Sequence, residues 1–190
     1  MSVAAKLASA ALWAEGRMLP VRGNKIVVSN FYGRGYGDNL KPIVEELLRR
    51  ESGLDIVWLT ADEVAAKSLP AGVRAASYAP RSRIRELCTA KVWLDNNRKG
   101  ARFKKPEQWY LQTWHGFALK RIERDAEQTL PAGYAAYAAR DSAQTDLIVS
   151  NSALMTKIYR ESFWYEGEVA EFGSPRNDIL FAPAGDVKQK

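Results

Sequence analysis

The only histidine of this 190-residue chain, His115, stands inside WYLQTWHGFALKR (residues 109–121), where alternating bulky residues meet a glycine and then two cations. Imidazole is the side chain best suited to exchanging a proton near neutral pH, so His115 is the first candidate for general-base chemistry. Residues 109–113 read as a buried strand, Gly116 permits close backbone approach, and the helix formers from Phe117 onward predict a helix carrying Lys120 and Arg121 in its second turn. On this reading His115 lies at the C-terminal tip of a strand, where the ligand crevice of an open α/β sheet forms. The competing reading is a histidine that caps the helix or fills the core.

Two other segments carry residues suited to anions. The loop GRGYGDN (33–39) follows one predicted strand and leads into a helix, so its backbone amides, the helix N-terminus and Arg34 suit a phosphate, with Gly35 and Asn39 among the contacts. The alternative is a tight turn in which Asp38 or Asn39 caps the helix. The spacing is Gly-x-Gly-x-Gly, which is not the dinucleotide fingerprint, and no acidic residue ends the second predicted strand to hold a ribose. GSPRND (173–178) follows the last predicted strand, and Pro175 stiffens a turn that aims Arg176 at a fixed point, a geometry suited to a diphosphate or carboxylate. The alternative is an ion pair of Arg176 with Asp178 or with a residue elsewhere. Ser150-Asn151-Ser152 reads as the cap of a helix running to about residue 162.

The elements that position these residues alternate. Strands are expected at 25–30, 54–60, 73–78, 91–95, 109–113, 146–150 and 168–172, with helices at 40–50, 61–67, 81–90 and in the later intervals. Such alternation predicts an α/β, Rossmann-like fold, a mostly parallel sheet with helices on both faces. The alanine-rich residues 1–22 form a helical segment ended by Pro20 and Gly23. It serves as a helix docked on the domain, a linker remnant or an interfacial membrane helix.

The chain is 46% hydrophobic and carries a formal charge of +6, from 28 basic and 22 acidic residues. No stretch is long enough to cross a membrane, and the apolar run at 8–14 is too short and too poorly flanked for a secretory signal, which predicts a cytoplasmic protein. The single cysteine, Cys88, excludes an internal disulfide and reads as a buried packing residue. No P-loop, Ser-His-Asp order or metal-ligand cluster is present, so neither a metal nor another cofactor is expected. The basic excess concentrates at 81–105, where nine cations oppose Glu86 and Asp95; read as a surface patch, it attracts polyanions or an anionic membrane, the alternative being a solvated basic face without a partner. The aromatic residues fall on strands rather than among these cations, which argues against nucleic acid.

These segments together resemble the CDP-glycerol glycerophosphotransferases that build teichoic acids and related polymers. The resemblance rests on YLQTWHG (110–116) with Leu119-Lys120 behind it, DLIVS (146–150), FWY (163–165) and GSPRND (173–178), and covers about residues 24–181. It implies the N-terminal, acceptor-side half (residues 23–181) of a GT-B architecture, followed by a tail at 182–190, with the donor-side domain absent. It further implies His115 as the base that deprotonates an acceptor hydroxyl, with Trp114, Gly116, Phe117, Lys120, Arg176, Asp178, Gly35 and Asn39 around the substrates. The donor would be CDP-glycerol or a related CDP-polyol, and the acceptor a teichoic-acid-like or lipid-linked polyol phosphate at the inner face of the membrane. The family has a second essential histidine in the donor half, which this chain lacks, and usually Thr-Pro where this chain has Phe117-Ala118. The expected function is therefore glycerol phosphate transfer that is incomplete without a separate donor-site domain. The alternative is a non-catalytic acceptor-binding module or a truncated relic of such an enzyme.

Overall fold

The computed structural model describes residues 3–51 and 53–181, so the expected tail at 182–190 lies outside the described residues. All seven expected strands are present: β1 (Arg22–Ser29), β2 (Asp55–Thr60), β3 (Val73–Ser77), β4 (Ala90–Asp95), β5 (Trp109–Gln112), β6 (Leu147–Ser150) and β7 (Glu168–Glu171). They form one sheet in the order β3-β2-β1-β4-β5-β6-β7, and every neighbouring pair is parallel. Parallel neighbours need crossover connections, supplied here mainly by helices α2 (Leu40–Arg50), α3 (Glu63–Lys67), α4 (Pro80–Thr89), α5 (Tyr134–Ser142) and α6 (Ala153–Ser162), while α1 (Val3–Met18) precedes β1. From β1 the chain works outward to β3 and then returns to β4 beside β1. The loops after β1 and β4 therefore diverge, which creates a crevice at their C-terminal ends.

Alternation along the central strands feeds two cores. Val27, Val57, Leu59 and Trp93 face α1 and α4, packing with Trp13, Ile84, Leu87 and Cys88. Ile26, Val28, Ile56, Trp58 and Leu94 face α2 through Leu40 and Val44. A third cluster under β6 and β7 gathers Ile148, Met155, Tyr159, Phe163 and Tyr165. Burial on both faces explains why β1 and β2 read as continuous apolar runs. Cys88 is fully buried, and burial pushes its thiol up to about 11, in keeping with a packing role. Of the three uses considered for the N-terminal helix, docking is the one observed: Trp13 packs edge-on against Phe103, and Gly16 lies against Cys88, where an added Cβ would meet Sγ at 2.5 Å. Among the described residues no helix is long and apolar enough to cross a membrane.

Two expectations fail. The helix expected from Phe117 is absent; residues 117–122 run irregularly into a kinked 3₁₀ segment, Glu123–Thr129. The stretch lies between two residues with left-handed backbone, Trp114 (φ 51°) and Glu123 (φ 56°), while Ala118 and Ile122 pack against the third cluster. Tertiary packing thus overrides a local helical preference.

The basic run at 81–105 is also not one continuous surface patch: Arg81, Arg85 and Arg102 are exposed, but its later part turns inward. Arg98, Lys99 and Lys105 are buried, and Arg98 contacts Glu123 at 2.8 Å and Asp141 at 3.8 Å. Lys99 meets Asp95 at 2.7 Å, Lys104 meets Asp146 at 2.5 Å, and the Lys105 ammonium donates to the Leu19 carbonyl. Arg98 and Lys104 are met by carboxylates from distant segments, Lys99 by the carboxylate four residues before it and Lys105 by a backbone carbonyl, and these partners offset the cost of drawing the charges inward.

Candidate functional site

Strand β5 ends at Gln112, whose side chain organises the turn beyond it. Its amide nitrogen donates to the Asn97 carbonyl at 2.9 Å, and its carbonyl oxygen accepts from the Trp114 backbone N–H at 2.9 Å. Trp114 then takes a left-handed conformation, costly for a bulky residue and retained only where neighbours hold it. Its indole stacks on His115 with ring centroids 4.3 Å apart and rests edge-on against Phe163. The reversal returns His115 toward the loop after β4.

There the imidazole Nδ1 lies 2.6 Å from the backbone carbonyl oxygen of Asn96. A carbonyl can only accept, so Nδ1 must carry the proton, and Nε2 of the neutral ring holds the lone pair. Phe31, from the loop after β1, packs beside the ring at a centroid distance of 5.5 Å. The Asn96 carbonyl is fixed in turn by buried carboxamides. Asn96 donates to Asn30 Oδ1 at 2.7 Å and accepts from the Phe31 N–H at 2.9 Å, while Asn97 donates to Asn96 Oδ1 at 3.1 Å.

The loop after β7 closes the arrangement. Arg176 Nη1 donates to Asp38 Oδ2 at 2.9 Å and to the His115 carbonyl at 3.1 Å, and a Cβ added at Gly116 would stand 4.0 Å from Arg176 Nη2. The ion pair expected for Arg176 is thus made with Asp38, from another loop, rather than with Asp178. Asn39 is almost fully buried; its amide donates to the Trp114 carbonyl at 3.3 Å and accepts from the Arg176 backbone N–H at 3.3 Å. It stands at the N-terminus of α2 but makes no side-chain cap, and the capping role considered for it does not occur. Ser152 does cap α6, accepting from the Met155 N–H.

The glycine loop largely binds itself. The amides of Gly33 and Arg34 donate to the Asn30 carbonyl, the Asn39 amide donates to Asp38, and the carbonyl of Gly35 accepts from the Trp58 indole at 3.2 Å. Those three amides are engaged within the loop rather than presented to a phosphate. Phe117 and Asp178 share an open hollow of about 480 Å³ with Asn151, Phe172 and Phe181, beside the cluster, and Lys120 is exposed on the irregular segment. His115, Trp114, Gly116, Asn39 and Arg176 are therefore brought together, Gly35 belongs to the supporting loop, and Lys120 lies outside the cluster's hydrogen bonds. Sequence reading missed Asn30, Asn96, Gln112 and Asp38 as supports. Their signal was a short polar residue at or just beyond a strand end, as in VVSN and WLDNN.

Beneath this surface lies a sealed ionic layer. Burial raises the Asp95 carboxyl above its usual range despite Lys99, and raises Asp141 to about 6 despite Arg98. Among the described residues no group of three or more His, Cys, Asp or Glu side chains is placed to hold a metal ion.

Comparison with known proteins gives the arrangement a context. The sequence profile of the CDP-Glycerol:Poly(glycerophosphate) glycerophosphotransferase family matches residues 14–190. The teichoic acid poly(glycerol phosphate) polymerase of Staphylococcus epidermidis is 28% identical over 173 residues, covering 87% of this chain and 24% of that protein. The teichoic acid glycerol-phosphate transferase of Staphylococcus aureus is 28% identical over 172 residues, covering 87% of this chain and 44% of that protein. Among solved structures, the wall teichoic acid polymerase TagF superposes with a TM-score of 0.82 at 25% identity, covering 95% of this chain and 46% of that one. A histidine-to-asparagine variant of TagF soaked with CDPG matches with the same TM-score and 48% coverage of its chain. This chain spans less than half the length of these relatives. The profile match runs through the β5 turn, the Asp38–Asn39 bend and the Arg176 loop alike, and the chain belongs to the CDP-glycerol:poly(glycerophosphate) glycerophosphotransferase family.

Proposed function

We propose that this domain is the acceptor-side half of a GT-B glycerophosphotransferase, with His115 as the general base. The observation that carries the reading is the Nδ1 contact with the Asn96 carbonyl, which leaves Nε2 free to receive a proton. In the proposed reaction a terminal hydroxyl of a polyol phosphate acceptor attacks the β-phosphorus of CDP-glycerol. The new P–O bond forms as the bond to CMP breaks, the hydroxyl proton passes to His115 Nε2, and CMP leaves with the bonding pair. General-base assistance of this kind is worth roughly 10²–10⁴-fold. Arg176 has one nitrogen committed to Asp38 and the His115 carbonyl, and its guanidinium supplies a fixed positive charge for a phosphate beside Gly116.

Trp114, Gly116, Phe117 and Asp178 then border the acceptor, with Lys120 at the outer edge and Gly35 shaping the loop behind it. The CDP moiety is held by a donor-side domain, and a lipid-linked acceptor places the work at the inner face of a membrane. A half-cleft cannot exclude water or orient the donor, so the 190-residue chain alone acts as an acceptor-binding module. The test measures CMP release. With a donor-side domain present, His115→Asn lowers turnover by about 10²-fold or more at nearly unchanged donor affinity. The 190-residue chain by itself releases no CMP above background. Wild-type turnover in the His115→Asn protein would remove the base from the mechanism.

A further inference from the structure

Three loops far apart in sequence meet at one buried side chain. Asn39 links the loop after β1 to the backbone of Trp114, 75 residues on, and to that of Arg176, 137 residues on, while itself 3% exposed. Its neighbour Asp38 holds the Arg176 guanidinium, and that guanidinium holds the His115 carbonyl. The result is a closed ring: Asn39 to Trp114 O, along the peptide to His115 O, across to Arg176, and back through the Arg176 N–H to Asn39. Both carbonyls flanking the His115 backbone nitrogen and Cα are thereby fixed, and with them the direction in which the imidazole leaves the chain.

The ring matters because the Trp114 backbone is unfavourable. A left-handed tryptophan gains by relaxing unless its carbonyl is held, and relaxation would rotate the Trp114–His115 peptide and withdraw Nδ1 from the Asn96 carbonyl. Gln112 holds the Trp114 N–H and Asn39 holds its carbonyl, from opposite ends of the residue. A carboxamide donates from its nitrogen to one backbone carbonyl while accepting at its oxygen from another backbone N–H, as Asn39 does here.

We propose that Asn39 is a positioning residue that fixes His115 in the tautomer with the proton on Nδ1. Asn39 acts on the base through the backbone and does not touch substrate. The inference deepens the assignment of His115 as base and rests on that reading for its purpose, though not for its geometry.

The chain's single histidine makes the test direct. Long-range ¹H–¹⁵N spectra of the 190-residue chain, prepared without a histidine tag, report on one imidazole alone. The wild type shows a pyrrole-like Nδ1 and a pyridine-like Nε2. Asn39→Asp is nearly isosteric and keeps the acceptor for the Arg176 N–H, but it loses the donor to Trp114 O and places negative charge against that carbonyl. In Asn39→Asp, and in Asn39→Ala, the tautomer ratio moves by about tenfold toward the Nε2–H form, equivalent to about 1.4 kcal/mol and within the range of one hydrogen bond. The amide spectrum of the β1–β4 core stays unchanged in both. If Asn39→Ala fails to fold, Asn39→Asp alone decides.

A wild-type imidazole protonated on Nε2 when neutral, or an unaltered tautomer in folded Asn39 variants, overturns the proposal. Loss of the Nδ1–H tautomer in the variants, combined with full turnover of His115→Asn in the assembled enzyme, would keep Asn39 as the positioning residue and reject the base.

Discussion

Two polar clusters gather near the C-terminal ends of the strands, and they differ in access to water. In the sealed one, Arg98, Glu123, Asp141, Lys99 and Asp95 have side chains only 2–4% exposed. In the open one, Asn39 is buried, but the Arg176 side chain is 37% exposed and His115 and Trp114 are half-buried. Both clusters join segments remote in sequence. The sealed cluster pairs charge with charge, which low dielectric makes costly to break; the open cluster relies mainly on backbone carbonyls and carboxamides, with the Asp38–Arg176 pair as its one ion pair. The sealed cluster acts as the foundation of the loops, and the open cluster leaves a nitrogen and a guanidinium facing outward.

The comparison predicts opposite responses to substitution. Arg98→Met strands the Glu123 and Asp141 carboxylates in the interior and lowers unfolding free energy by about 3–5 kcal/mol, read from urea denaturation. His115→Ala loses one hydrogen bond and some ring packing, about 1–1.5 kcal/mol. Equal destabilisation by the two would erase the distinction between foundation and site.

Acid titration separates the clusters a second way. The Asp141 carboxyl is held at about 6 in the folded chain, above its ordinary 3.8, so between roughly pH 4 and 6 the folded state binds more protons than the unfolded one. Stability contributed by this group is greatest at the acidic end of that window and declines as pH rises through about 6. Asp141→Asn keeps an acceptor for the Gly100 N–H and removes this decline, a difference in pH response of about 1–3 kcal/mol between pH 4 and 7. An unchanged pH profile in the variant would mean that Asp141 does not titrate there.

Two smaller effects concern the arginines. Arg176→Ala raises the KM for the phosphate-bearing acceptor by about tenfold and also lowers kcat, because the charge acts in both ground and transition states, whereas His115→Asn acts on kcat. Arg81→Gln and Arg85→Gln, in exposed cations of the basic run, change binding of poly(glycerol phosphate) by less than about threefold each, since isolated surface charges contribute little. A larger loss from Arg81 or Arg85 than from Arg176 would move the acceptor site to the α4 face.

The alternation of strands and helices was legible in the chain order alone, because a parallel sheet covered on both faces demands apolar runs separated by amphipathic stretches. The sequence also placed His115, the 33–39 loop and Arg176 beyond strand ends, where chain order alone puts them at the crevice. It did not determine the partners of the charges. Arg98 lies among cations in the chain, yet it meets Glu123 and Asp141 because α5 and the 3₁₀ segment pack over it, and packing is not periodic. Nor did sequence forbid a helix after His115; the left-handed Trp114 and Glu123, held by Gln112, Asn39 and Arg98, did so. Which imidazole nitrogen stays free was settled by packing, since the Asn96 carbonyl that accepts from Nδ1–H belongs to a different loop, 19 residues away in the chain.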